Sequence, residues 1–165
     1  TVATVSALLV ASGCGLFTSG PRVVLLGDSL TVLTFDQMSR VADGDFTLEL
    51  NATSGKRIDE NLDAAELLAA TNPPQVISNL GSNDILQRRD VNRVMADLET
   101  MIDQFADVSC LHLVTINEQM QPDAADYATS AQQVNDEIRQ LAKRRLSTDV
   151  IDWNQIVIDN GETSR

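Results

Sequence analysis

At 165 residues and 43% hydrophobic content, the chain has the size and apolar share of one domain built on a single substantial core. Its formal charge of -12, from 24 acids against 12 bases, repels polyphosphate and argues against nucleic acid and anionic membrane surfaces as partners. No stretch has the roughly 20 apolar residues of a membrane-spanning helix, and there is no internal repeat or low-complexity segment.

Residues 2–11 are uncharged and apolar and run into Ser12-Gly13-Cys14, the pattern of a secretory signal. The end of this segment resembles a bacterial lipobox, which implies lipidation of Cys14, membrane attachment through it, and a protein exported to be secreted or anchored at the cell envelope. The other reading is an N-terminal helix that packs Leu8, Leu9 and Val10 on the core. Residues 16–21, rich in Gly and Ser, read as a linker, dividing the segment 1–21 from a domain over 22–165. Cys110 opens an apolar run and reads as a buried thiol, with a disulfide to Cys14 as the alternative that lipidation would exclude.

Val23-Val24-Leu25-Leu26 reads as a strand buried on both faces, and it ends in Gly27-Asp28-Ser29-Leu30. An amphipathic pattern follows, with Leu30, Leu33, Met38 and Val41 near helical spacing and Asp43-Gly44-Asp45 as its stop. Residues 46–50 alternate as a second strand. The polar turn Asn51-Ala52-Thr53-Ser54-Gly55 then leads into a helix with Ile58, Leu62, Ala65 and Leu68 on one face. Pro73-Pro74 breaks that helix before a third strand over 75–80, which runs into Gly81-Ser82-Asn83-Asp84. The clearest helix places Val91, Val94, Met95, Leu98, Met101, Ile102 and Phe105 on one stripe, as core. A fourth strand over 111–116, a long helix opened by Pro122 with Tyr127, Ala131, Val134, Ile138 and Leu141 inward, and a fifth strand over 149–153 complete the pattern. Strands alternating with helices predict an α/β fold, a three-layer α/β/α arrangement around a central parallel five-stranded sheet of flavodoxin-like topology. The turns bearing Ser29, Gly55 and Asn83 then share the carboxyl edge of the sheet, where ligands bind.

Acyl transfer from an ester needs a nucleophile and hydrogen-bond donors aimed at the developing oxyanion. Ser29 can supply its hydroxyl and backbone N–H, Gly55 a backbone N–H with no side chain in the way, and Asn83 an amide. Two of them have a plainer reading: Ser29 as a helix N-cap, Gly55 as a glycine chosen for its backbone angle. Together, Gly27-Asp28-Ser29-Leu30, Gly55 and Gly81-Ser82-Asn83-Asp84 resemble the first three sequence blocks of the SGNH, or GDSL, hydrolase family, in the same order. No G-x-S-x-G elbow is present, which argues against the ordinary α/β-hydrolase fold. The resemblance implies a serine esterase, lipase or deacetylase with Ser29 as nucleophile and with Gly55 and Asn83 in the oxyanion hole. Gly27, Asp28, Gly81 and Asp84 would support the turns. It further implies a small-molecule or cell-envelope ester as substrate, a monomer, and no metal or organic cofactor.

The family's Asp-x-x-His block has no match up to Arg165, and no initiator Met precedes Thr1, so the sequence is expected to be a fragment whose base lies beyond it. The single histidine, His112, falls early in the fourth strand, roughly 15 Å from the carboxyl edge at 3.3 Å per residue, too far for a general base. Asp152 and Asp159 could approach the edge, but an acid without a histidine makes no triad. Two other readings stay open: a noncatalytic envelope-binding module, and a flavodoxin-like anion binder, which lacks a Lys or Arg in the Ser29 turn.

Overall fold

A computed structural model describes residues 21–121 and 124–161 of the chain. The expectations for the segment 2–11, for Cys14 and for a helix start at Pro122 fall outside the described residues. The strands β1 (Arg22–Gly27), β2 (Thr47–Ala52), β3 (Gln75–Asn79), β4 (Cys110–Val114) and β5 (Thr148–Ile151) form one parallel sheet in the order β2-β1-β3-β4-β5. Leu25 pairs with Leu50 on one side and Ile77 on the other, and His112 lies between Ile77 and Asp149. The chain steps from β1 outward to β2 and then back across to β3. Connections leaving β1 and β3 therefore diverge and open a crevice at the carboxyl edge.

Alternate side chains of each strand serve opposite faces. Val24, Leu26, Val76, Leu111 and Leu113 meet α2 (Leu62–Ala69), α4 (Val91–Gln104) and α5 (Ala125–Arg144) in one buried cluster. Of the stripe expected on α4, Val94, Leu98, Met101 and Ile102 are buried, Val91 and Met95 are half-buried, and Phe105 is buried just past the helix end; on α5 Tyr127, Ala131, Val134, Ile138 and Leu141 are all buried. On the opposite face Leu25, Ile77, Val114 and Ile151 meet α1 (Ser29–Ala42) across an apolar cavity of about 420 Å³. Among the described residues no helix is long and apolar enough to cross a membrane.

Three expectations need correction. In α1, Leu33 and Val41 are 79% and 75% exposed, and Thr31 is the buried residue. The helix docks through Thr31, whose Oγ1 would lie 2.0 Å from a Cβ added at Gly27, so the small residue on β1 selects the face. A short helix, α3 (Ser82–Leu86), stands where the sequence suggested only a turn, and the segment 149–153 is divided between β5 and α6 (Trp153–Asp159). In the latter case Asp152 ends the strand by capping the helix, accepting from Gln155 N.

Candidate active site at the carboxyl edge

β1 delivers Gly27, Asp28 and Ser29 to the carboxyl edge. The capping role belongs to Asp28: its Oδ1 accepts the Leu30 N–H at 2.9 Å, and Ser29 is already the first helical residue, half-buried. Ser29 is thus relieved of the duty that made its presence at a helix start unremarkable. Asp28 is almost fully buried, and burial pushes its carboxyl above the usual carboxylate range despite the Leu30 N–H.

Gly55 sits in the connection after β2 with φ +79, and an added Cβ there would meet nothing within 4 Å. Its requirement for glycine is conformational, since L residues rarely adopt this region. Gly81, at φ +110, is constrained twice, because a Cβ would also come within 2.9 Å of Ile116 Cδ1. It turns β3 into α3, on which Asn83 and Asp84 lie.

Asn83 joins the three connections. Its Nδ2 donates to Asp28 Oδ2 at 3.0 Å and to the Lys56 carbonyl at 3.1 Å, so one amide reaches the neighbour of Ser29 and the neighbour of Gly55. Asp84 is fully buried; one oxygen accepts the Ile58 N–H at 3.0 Å and the other pairs with Arg89 at 2.8 Å. Burial raises its carboxyl, with Arg89 opposing. Gln87, one turn beyond Asn83, donates to the Gly55 carbonyl at 3.2 Å. Lys56, Gln87 and Arg89 were not singled out from sequence; the one available signal was Gln87 at i+4 from Asn83 on a common helix face.

One further residue borders this region. The Tyr127 hydroxyl donates to the Asn117 carbonyl at 3.1 Å, fixing the connection after β4. Burial, followed by the nearby Asp28 charge, pushes its phenol up to about 12. His112 lies within β4, with Nε2 placed 3.2 Å from Cys110 Sγ, and burial lowers its pKa against the pull of Asp149. It does not reach the edge. Asp152 is held by Arg139 and by the Thr115 hydroxyl, and Asp159 accepts from Gln155 at 2.8 Å. The apolar cavity beneath α1 is lined by Thr31 and by Leu30 and Ser82, the residues next to Ser29 and Asn83, and Ser29 is not among its lining residues.

No protein-family model matches the chain. No curated protein matches it either. Solved structures do. A member of the lipolytic protein G-D-S-L family from Veillonella parvula DSM 2008 aligns with a TM-score of 0.74 at 18% identity, covering 87% of this chain and 84% of that one. AlinE4, an SGNH-hydrolase family esterase, gives 0.68 at 14% identity, covering 91% and 85%. The C-terminal catalytic domain of peptidoglycan O-acetyltransferase A from Streptococcus pneumoniae gives 0.66 at 16% identity, covering 88% and 76%. With its five parallel strands in the order β2-β1-β3-β4-β5, the chain has the fold of the GDSL and SGNH esterases.

Proposed function

We propose that the chain is a carboxylic ester hydrolase of the SGNH type with Ser29 as nucleophile. The observation that carries this reading is the pair of hydrogen bonds from Asn83, which gathers the Ser29 turn and the Gly55 turn around one amide, with Asp28 and not Ser29 capping the helix. Ser29 Oγ attacks the ester carbonyl, and the carbonyl electron pair moves onto oxygen. The Ser29 and Gly55 N–H groups and one Asn83 N–H, shared with its present acceptor, receive that charge. Collapse expels the alcohol, and water then releases the acid from the acyl-enzyme. The Ser29 proton needs an acceptor, and we place that base outside the described residues, since His112 lies inside the sheet.

The test is hydrolysis of p-nitrophenyl acetate by the chain and by Ser29→Ala and Asn83→Ala. Without a triad base, the rate should stay within about a thousandfold to ten-thousandfold of water. Imidazole added as an external base should raise the rate further in the chain but not in Ser29→Ala, and Asn83→Ala should lower the residual rate by about a hundredfold. The position of His112 favours a second reading, a noncatalytic module that binds envelope esters through the same donors. It predicts no turnover dependent on Ser29.

A further inference from the structure

Four hydrogen bonds join the connection after β2 to α3: Gln87 to the Gly55 carbonyl, Asn83 to the Lys56 carbonyl, Arg57 to Gln87 Oε1 at 2.7 Å, and the Ile58 N–H to Asp84 Oδ2. Only the last is buried throughout, and its acceptor is a carboxylate. A carboxylate with no exposed surface holds its charge only beside a cation. That cation is Arg89. Its Nη1 lies 2.8 Å from Asp84 Oδ1 and 3.3 Å from Asp59 Oδ1, and its Nη2 lies 2.9 Å from Asp97 Oδ2, so one guanidinium ties together three elements. Arg88, immediately before it, has φ +55, a left-handed conformation at a non-glycine residue. This turn ends α3 and swings Arg89 back, with its N–H on the Asp84 carbonyl at 3.0 Å.

We infer that Arg89 is a positioning residue: by neutralising Asp84 it holds the Gly55 connection against α3, so that donors from two separate loops converge on Ser29. The inference rests on the ester-hydrolase reading for its catalytic consequence and on geometry alone for its structural one. Removing the guanidinium leaves Asp84 buried without a counter-charge. The carboxyl then takes up a proton or turns toward water, and either change weakens its hold on the Ile58 N–H. Gly55, three residues upstream, is then left to the exposed Gln87 bond at its carbonyl and the Asn83 bond at Lys56.

The experiment compares the chain with Arg89→Met and Arg89→Lys. In Arg89→Met, Ser29-dependent hydrolysis of p-nitrophenyl acetate should lose about tenfold or more in kcat while KM stays within about twofold. Arg89→Lys should recover part of the loss. In nitrogen-edited NMR spectra of Arg89→Met, the Gly55 backbone amide and the Asn83 side-chain amide should shift and broaden while Val24 and Val76 in the sheet stay in place. Unchanged Gly55 and Asn83 signals overturn the inference. So does loss of dispersion throughout the spectrum without recovery in Arg89→Lys, the mark of a merely structural residue. If hydrolysis stays independent of Ser29 even with imidazole as an external base, the ester-hydrolase reading falls, and the NMR comparison still decides whether Arg89 holds the loop.

Discussion

Asp28 carries two tasks that pull its chemistry in opposite directions. As a cap it accepts the Leu30 N–H, which favours the charged form, while its burial favours the neutral one, and burial prevails. Its folded pKa is raised above the ordinary 3.8, so the native state keeps this proton to higher pH than the unfolded chain. The carboxyl therefore costs stability above its folded pKa, and that cost fades as pH falls toward 3.8. Asn caps helices about as well as Asp, so Asp28→Asn removes the titration with small loss of capping. The melting temperature of the wild-type chain should gain on that of Asp28→Asn as the pH is lowered from 7 toward 4. A gap that stays constant, or moves the other way, contradicts a raised Asp28 pKa. At this scale the sequence was partly readable: the Gly, Asp, Ser and Asn of the motifs fall on the turns and helix starts at the carboxyl edge that their spacing implied. The partners of Asn83 were not readable, because Lys56 enters through a main-chain carbonyl, which any residue type supplies.

Among the elements, α1 shows why apolar spacing can mislead. Leu30, Leu33, Met38 and Val41 suggested the inner face, yet the helix is fixed by a close approach of Thr31 to Gly27, with the Asn79 amide donating to the Thr31 hydroxyl at 3.2 Å. A polar residue thus occupies the buried position of the helix. Periodicity detects hydrophobic area and is blind to a hydroxyl packed on a glycine. α4 and α5 were legible because the faces they bury are apolar apart from Asn135 of α5, which bonds the Ile116 backbone. Gly27→Ala should shift α1 off the sheet and destabilise the fold by about 1–3 kcal/mol, as overpacking does. A second change, Thr31→Ala, should return part of that loss in a denaturant titration. Independent, additive effects of the two substitutions would contradict the contact as the cause.

For the molecule as a whole, the alternation of strands and helices made the parallel sheet and its flavodoxin-like strand order legible, because a crossover after every strand leaves few other topologies. The same pattern brought Ser29, Gly55 and Asn83 to one edge and kept His112 away from it. The proton acceptor had no such signal among the described residues, since the single histidine is spent within the sheet. Whether Ser29 is the reactive hydroxyl is decided by prolonged exposure of the whole chain to a fluorophosphonate, followed by peptide mass mapping. Slow phosphonylation is expected at Ser29, absent in Ser29→Ala and undiminished in His112→Ala. Label on another serine with Ser29 untouched, or labelling of Ser29 that disappears in His112→Ala, would contradict it.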